Sequence, residues 1–537
     1  MLRIEFDEAL HPPGVLRRRN GFRGPHGANG SPACPPTPKA CMRHHPPAMA
    51  KLRWTGLPSP EPPVDRRSEL RPLSRLSNAP PRRDPRNRVI DWTNPKQQDI
   101  HRNESMGRAS VPPRSSTTRT TPTRGTEEML NKVERMYEQP PYAAFPRSEY
   151  AHRIRRIQEE MAAAQIDVMV MWDEINIRYF TGFLSNHWPP VTVCPAVLLV
   201  AVDKPPVMVV PDFFQGVVEG YTFIEDIRSH HHPHVTAHLR DLPRLVGEVA
   251  KELIGGSKGR VGIEGGLTGG MTIPRPINDI DTFRASLPDV EFVYAADQIW
   301  NVRMIKSLLE VEAIKIACEA DVKAYHDLVA NFEWGWTEKD VGIFLRQQLL
   351  EYADECKPCL CMASRREVFM ADIPAWDEGI PLMPGDRLVV EPLPEVKGYW
   401  GSSGRTFHMG PAPEEELRKQ EVLDRGRAVA AEVTKPGITT GEIMDAINQT
   451  LQDGGLECSL DQGGHGVGLC GQEPPAIALG EKFVVQEGLV LAVECWLFET
   501  SDQGHHRVYG GEDYVYVTEG GCDLFPVFPT DITCLGA

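Results

Sequence analysis

One imidazole and two carboxylates in the segment 463–513 constrain this chain more than any other feature. The segment begins Gly-Gly-His-Gly-Val-Gly, which sets His465 among glycines, and continues into an apolar run that carries a single acid, Glu494. It closes on Gly-Gly-Glu-Asp, in which Glu512 precedes another strand-like run. Apolar, β-branched runs bounded by glycines predict strands, and glycine lets neighbouring backbones approach closely. The pattern suits a site that binds a metal ion or polarises a carbonyl group.

Residues 1–126 differ in composition from the rest of the chain. They carry 23 Lys and Arg against 10 Asp and Glu, whereas the remaining residues carry 35 against 64. They are rich in Pro, Arg, Ser and Thr, and their few apolar residues cannot offset the entropy of ordering, so we predict a disordered extension. A transit peptide and an upstream extension outside the working protein both fit this composition. Met106 or Met129 would then serve as an alternative start.

The charge and hydropathy of the remainder exclude several classes of protein. An acidic body argues against a general phosphate-neutralising surface for nucleic acid. No run approaches the ~18 apolar residues of a membrane span, and no apolar signal core follows Met1. The 12 cysteines are scattered, which is typical of reduced thiols. We therefore expect a cytoplasmic protein that binds neither nucleic acid nor a membrane.

The region from about 142 to 298 has the pattern of an α/β domain. A helical periodicity comes first, and short apolar runs such as 166–172 and 260–264 then alternate with further helical segments. These runs predict the strands of one sheet.

The region 299–537 predicts a second domain. A long amphipathic helix precedes a hairpin that carries Glu391 on its first arm and Arg405 on its returning arm. An acidic-first helix over 414–433 and a short helix with Thr440 as its N-cap follow. The segment with the imidazole and the two acids comes directly after them.

Two other clusters resemble metal sites only weakly. Five histidines lie within 230–238, a composition that binds transition metals, but an exposed polar loop explains it as well. Cys356, Cys359 and Cys361 contain one C-x2-C pair without a second pair nearby, so thiols of a core or loop are the favoured interpretation over a zinc site.

The order of the elements resembles the pita-bread fold of the creatinase, prolidase and methionine aminopeptidase family. The hairpin, long helix, Pro-Gly break, short helix, Gly-His-Gly, strand with Glu494 and Gly-Glu-Asp all occur in that order. The run Asn-Ile-Arg-Tyr-Phe-Thr-Gly-Phe at 176–183 looks like the N-terminal domain of the creatinase and Xaa-Pro dipeptidase branch. The resemblance implies an α/β N-terminal domain followed by an α+β pita-bread catalytic domain.

Metallopeptidases of this family bind two divalent ions through two Asp, one His and two Glu, and the resemblance transfers only part of that set. It places the imidazole at His465 and the two glutamates at Glu494 and Glu512. The first Asp falls at Glu391, and the second, which bridges the ions, falls at Ser402.

Of three further residues of the family's site, the arginine is retained and the two histidines are absent. Arg405 matches an arginine of the family, either to position the acids or to bind a substrate carboxylate. A histidine that contacts substrate falls at Gln472, and no upstream histidine occurs in 369–381.

These departures predict an altered metal site. Two cations about 3.5–4 Å apart need bridging carboxylates, and Ser402 is a neutral hydroxyl. Glu391, His465, Glu494 and Glu512 would hold one divalent Fe, Mn or Zn ion. A metal-free site, as in creatinase, is the alternative.

The leading functional hypothesis is a hydrolase that cleaves a C–N bond, amide-like or Xaa-Pro, in a small molecule or dipeptide. His465, Glu494, Glu512 and Arg405 would carry the reaction. A single-metal lyase resembling dimethylsulfoniopropionate lyase and a non-catalytic binding protein on a peptidase fold stay as alternatives. The resemblance also implies a homodimer, in which Arg178 or the loop 186–188 would contact substrate.

Overall fold

The computed structural model describes residues 140–184, 194, 196–231, 241–363, 379–456, 460–500, 506–529 and 533–536. The predicted disordered extension therefore lies outside the described residues.

A six-stranded mixed sheet forms the N-terminal part, with the strand order β4-β3-β2-β1-β5-β6. Its strands are β1 (Val168–Met171), β2 (Val197–Ala201), β3 (Val207–Pro211), β4 (Asp226–His230), β5 (Arg260–Ile263) and β6 (Glu291–Tyr294). The helices around it are α1 (Arg147–Ala163), α2 (Glu174–Thr181), α3 (Gln215–Tyr221), α4 (Leu242–Ile254), α5 (Ile277–Ser286) and α6 (Ala296–Met304). The antiparallel pair β1–β2 and the parallel pair β1–β5 make the sheet mixed.

Strand β1 shows why this sheet is covered on both faces. Its four residues, Val-Met-Val-Met, are all buried. Val168 and Val170 belong to one apolar cluster, whereas Met169 and Met171 belong to another. Successive side chains of a strand point to opposite faces, so the unbroken apolar run follows from packing on both sides.

The described residues of the C-terminal part form four helices and two five-stranded sheets. The helices are α7 (Leu308–Asn331), α8 (Glu338–Tyr352), α9 (Glu414–Val433) and α10 (Thr440–Asp453). The strands of the first sheet are β7 (Glu355–Ala363), β8 (Arg387–Val396), β9 (Tyr399–Trp400), β10 (Arg405–Met409) and β16 (Thr533–Leu535). The strands of the second are β11 (Gln462–Gly466), β12 (Glu473–Ala478), β13 (Val490–Thr500), β14 (His506–Thr518) and β15 (Gly521–Leu524).

The predicted hairpin is present in the first sheet. Strands β8 and β10 are antiparallel, and Arg405 pairs with Val390. The second sheet has the order β12-β11-β13-β14-β15, so the strand with His465 lies beside the strand with Glu494. The expected α/β domain followed by an α+β domain is thus confirmed, and the two sheets bring the candidate residues together.

One predicted cap was wrong by one position. Thr439, rather than Thr440, is the N-cap of α10, because its hydroxyl accepts from the backbone N–H of Glu442 while the Glu442 side chain returns to the N–H of Thr439. This reciprocal pair requires the cap to lie three residues before the acid. Thr440 is instead the first helical residue and is buried.

Among the helices that the structure describes, none combines the length and apolar character needed to cross a membrane.

Candidate active site

His465 lies on β11, and the two neighbouring strands come so close that the residues on either side of the histidine must be glycine. It pairs with Ala492 of β13 on one side and with Ala476 of β12 on the other. Gly464 has φ of +145°, and a Cβ there would overlap the carbonyl oxygen of Ala492. A Cβ at Gly466 would overlap the backbone of Pro474 in the same way. The Gly-His-Gly sequence is therefore what close strand packing around the imidazole requires.

The imidazole of His465 is oriented by its own strand. Its Nδ1 lies 3.0 Å from the carbonyl oxygen of Gly466, and a carbonyl only accepts, so we assign the ring proton to Nδ1. The Nε2 lone pair then faces Oε1 of Glu494 and Oε1 of Glu512, each 4.0 Å away. A histidine fixed through one nitrogen and open at the other is the arrangement that metal-ligating histidines share.

Glu494 and Glu512 face each other across two strands. They are directly paired in the register of β13 and β14, where like charges destabilise a sheet. The Trp496 indole N–H donates to Oε2 of Glu494 at 2.8 Å, and the hydroxyl of Ser402 donates to Oε2 of Glu512 at 2.6 Å. The other oxygen of each acid faces His465, and in Glu494 this oxygen also accepts from the Gln462 amide at 3.3 Å.

The three residues form a cluster that fits a cation. One ligand atom from each of His465, Glu494 and Glu512 lies within 4.8 Å of the others. The separations of 4.0 Å from Nε2 to the two carboxylates are within what two bonds of about 2.0–2.2 Å to one ion can span. Within the described part of the chain, this is the one group of three or more such residues.

Glu391 lies beside this cluster without belonging to it. Burial, together with the neighbouring charge of Glu494, raises the pKa of Glu391 to about 7. Burial likewise raises the pKa of Glu512 well above its usual range, with contributions from Glu391 and Glu494, while the hydrogen bond from Ser402 opposes the shift. Carboxylates this close to one another repel in their charged forms, and a divalent cation would compensate that charge.

Ser402 occupies the position at which the resemblance placed a bridging acid. It lies between β9 and β10, is buried, and uses its hydroxyl on Glu512. The next residue, Ser403, donates to Oδ2 of the buried Asp321 at 3.2 Å. A hydroxyl donates to an acid rather than bridging two cations, so the donor set on this side fits one ion and does not fit two.

Arg405 lies beneath the site rather than in it. It is buried, and it donates to the carbonyl oxygen of Glu512 at 2.7 Å and to Oδ1 of Asp513 at 2.6 Å. Arg427 donates to the other oxygen of Asp513 at 3.0 Å. Burial raises the pKa of Asp513, but the two guanidinium groups outweigh burial and leave that pKa lowered. Of the two roles predicted for Arg405, this geometry corresponds to positioning the strand that carries Glu512.

A buried ion network anchors the loop that follows His465. Glu473 opens β12, and its carboxylate contacts Arg303 and, at 3.0 Å, Lys306. Arg303 also donates to the Asn176 side chain of α2 at 2.8 Å. This network connects the N-terminal part to the candidate site, and sequence reasoning missed it. The one hint in the sequence was that Glu473 directly follows Gln472, the position at which the resemblance places a substrate-contacting histidine.

Several predicted residues lie elsewhere or outside the described residues. Gln472 is exposed, and Arg178 lines a different cavity. The loop 186–188 and most of 369–381 are outside the described part. Of the five histidines in 230–238, only His230 and His231 are described.

Comparisons with known proteins give matches for both folded regions. A family model described as Creatinase/Prolidase N-terminal domain matches residues 153–305. A family model described as Metallopeptidase family M24 matches residues 312–519.

Three relatives illustrate the similarity. The probable dipeptidase PepE of Mycobacterium bovis is 28% identical over 232 residues, which cover 43% of this chain, and the chain spans only 60% of that relative's length. The Xaa-Pro dipeptidase of Pyrococcus furiosus is 27% identical over 264 residues, 49% of this chain and 72% of the relative. The crystal structure of dipeptidase PepE from Mycobacterium ulcerans superposes with a TM-score of 0.61 at 20% identity, covering 73% of this chain and 100% of that one.

Proposed function

Because the chain belongs to the creatinase/prolidase family of pita-bread proteins, we propose that it is a hydrolase that cleaves a C–N bond in a small polar substrate. We propose that the bond cleaved is an amide-like bond in a small molecule or the Xaa-Pro bond of a dipeptide. The observation that carries the proposal is the convergence of His465, Glu494 and Glu512, whose ligand atoms lie within 4.8 Å of one another.

We propose that these three residues hold one divalent ion, Fe, Mn or Zn, with Glu391 beside them. Such an ion, when bound, polarises a carbonyl oxygen and lowers the pKa of water. The protein's own contribution is then orientation. The carbonyl of Gly466 fixes the ring of His465, and the hydroxyl of Ser402 and the indole of Trp496 fix one oxygen of each acid.

In the metal-bound version, Glu494 or Glu512 would orient or deprotonate the attacking water. Oε1 of Glu494 and Oε1 of Glu512 both face Nε2 of His465, so in the metal-free version a water molecule between them would be within reach of three acceptor atoms. Proton transfer at this distance contributes typically about 10²–10⁴-fold to a rate. Arg405 supports this arrangement from below by holding the backbone of Glu512 and the side chain of Asp513.

A metal-free hydrolase is the second candidate, and the crowding of Glu391, Glu494 and Glu512 favours it. Burial and the other two acids raise the pKa of Glu512, and a carboxyl with a raised pKa is suited to proton transfer with a substrate. The hydroxyl of Ser402, which donates to Oε2 of Glu512 at 2.6 Å, would hold that carboxyl in place.

The test is a substrate screen on metal-depleted and metal-reconstituted protein. The panel comprises Xaa-Pro dipeptides, creatine-like compounds and betaine-like compounds, with primary or secondary amine release as the signal. Turnover that needs added Fe, Mn or Zn supports the one-ion hydrolase. Turnover in a chelator supports the metal-free version. Release of an alkene without an amine would identify a lyase, and binding without any turnover would identify a non-catalytic protein.

A homodimer, which the family resemblance supports, and a cytoplasmic location, which the scattered cysteines support, are also part of the proposal. Sedimentation of the full chain would test the dimer directly.

A further inference from the structure

A second cavity lies between the N-terminal helices and the first sheet of the C-terminal part. Its volume is about 740 Å³, within the range of about 300–1,000 Å³ typical of small-molecule sites. None of His465, Glu494 and Glu512 lines it. On β8, Glu395 lines this cavity whereas Glu391 faces the candidate active site, and four residues of strand span roughly 13 Å. The two sites are therefore separate.

Arg178 offers an uncommitted positive charge on the wall of this cavity. It lies in the last turn of α2 and is half-buried. The described residues provide it with neither a hydrogen bond nor an ion pair within bonding distance. A Cβ at Gly398, in the turn between β8 and β9, would overlap the guanidinium, so the glycine at this turn, with φ of +81°, makes room for it.

The other cations of the cavity already have partners. Arg153 donates to Glu149 and to the carbonyl oxygen of Tyr179, both at 2.8 Å. Lys357 is paired with Glu395 at 3.0 Å. The ammonium of Lys397 lies 4.9 Å from the centre of the Phe145 ring. Glu174, one turn earlier on the helix, is near enough for the charge of Arg178 to oppose the rise that burial causes in the pKa of Glu174, but it forms no ion pair with Arg178 within the described residues. A half-buried guanidinium without a hydrogen-bonded anion is unfavourable, and a carboxylate matches its planar fork in two parallel hydrogen bonds.

The cavity also has an aromatic wall. Tyr142 packs on Tyr221 with ring centres 5.3 Å apart, and Phe145 lies 6.3 Å from Tyr150 and 5.9 Å from Tyr399. All five rings line the cavity. Such a surface gains from contact with an apolar or aromatic group, and ring pairs add about 0.5–1.5 kcal/mol beyond burial.

The acids of the cavity restrict the charge of its ligand. Glu174, Asp354, Glu355 and Glu395 balance the four cations Arg153, Arg178, Lys357 and Lys397. A polyphosphate would meet four acids at close range, whereas a single carboxylate on Arg178 would leave them undisturbed. The geometry thus favours a ligand with one negative charge and an apolar body.

We propose that this cavity is a second small-molecule site that binds a monocarboxylate with an aromatic or apolar body, through Arg178. The inference goes beyond the proposed hydrolase, since it uses none of the residues of the candidate active site.

The test is isothermal titration of the full chain with 3-phenylpropionate and with 3-phenylpropan-1-ol. The two probes share an aromatic body and differ in the carboxylate, and neither contains a C–N bond. We expect the acid to bind at least tenfold more tightly than the alcohol. Arg178→Gln should weaken binding of the acid at least tenfold and leave binding of the alcohol unchanged, and Arg178→Lys should recover part of the loss.

Two controls separate this site from the rest of the molecule. Arg155→Gln removes the same charge from an exposed position of α1 and should leave binding unchanged. Circular dichroism should show that Arg178→Gln is folded. Absence of acid binding at 10 mM, equal binding of acid and alcohol, or equal binding by Arg178→Gln and the unmodified chain would each overturn the proposal, and none of these results bears on turnover at His465.

Discussion

Replacing Ser402 with Asp restores the missing bridging acid and gives a quantitative test of the one-ion site. The hydroxyl of Ser402 lies 2.6 Å from Oε2 of Glu512 and is buried, so an aspartate there would face that carboxylate at about 4 Å. Two like charges at this distance repel by about 4 kcal/mol at an effective dielectric constant of about 20. A free-energy loss of 1 kcal/mol lowers the melting temperature by about 2–4 °C for domains of 150–250 residues, so we expect a fall of roughly 10 °C without metal.

A second ion would reverse part of this loss. A cation at 100 times its dissociation constant stabilises the folded state by about 2.7 kcal/mol, so added Mn²⁺ should raise the melting temperature of Ser402→Asp by several degrees more than that of the unmodified chain. Ser402→Asn is the matched control, since it has the same shape without the charge. The assay is differential scanning calorimetry in chelator and in Mn²⁺. The reasoning fails if the Asp and Asn variants melt together in both conditions.

Three further outcomes follow from the site. His465→Ala should abolish turnover with little change in the unfolding transition, because the ring's one hydrogen bond among the described residues is to its own strand; unchanged activity would move the active site elsewhere. Glu473→Gln should cost about 3–5 kcal/mol, because it leaves Arg303 and Lys306 buried without a counter-charge, and chemical denaturation at pH 7 measures this cost. Burial raises the pKa of Glu473, but Arg303 and Lys306 outweigh burial and leave that pKa lowered. The stability that Glu473 contributes is therefore present above the ordinary carboxyl pKa and is lost as the pH falls from there through the lowered pKa. The acid-side decline in stability should therefore be shallower in Glu473→Gln, and parallel declines in the two proteins would contradict this.

Most local features of this fold could be predicted from the sequence. The strands that carry Glu494 and Glu512 could be predicted from apolar runs near glycines, and the strand that carries His465 from its glycines alone. The reason for these glycines is steric, since Gly464 and Gly510 pack against neighbouring carbonyl groups. The N-cap of α8 followed from Thr337 and Asp340, whose reciprocal bonds are present. The cap of α10 was misplaced by one residue because two threonines are adjacent, and only the distance to Glu442 separates them.

Long-range contacts were beyond the reach of the sequence. The bond from Ser402 to Glu512 joins residues 110 positions apart, and the one from Arg405 to Asp513 joins residues 108 apart. Nothing in the local sequence pattern shows that the guanidinium of Arg405 donates hydrogen bonds to Glu512, Asp513 and the carbonyl oxygen of Phe528. Such bonds depend on how two sheets meet, and no periodicity within one strand encodes that.

Glu391 illustrates the same limit within the site. Its place on the hairpin was predicted, yet it lies beside the cluster of His465, Glu494 and Glu512 rather than within it. The register of β8 against β10 fixes its height along the strand, and the distance between the two sheets sets how far its carboxyl lies from Glu494.

The metal content of the purified full chain tests the central claim most directly. Elemental analysis after dialysis against Fe, Mn or Zn should give at most one tightly bound ion per chain, and His465→Ala should reduce that value towards zero. Two tightly bound ions per chain would contradict the account, because the second could not be held where Ser402 donates its hydroxyl to Glu512.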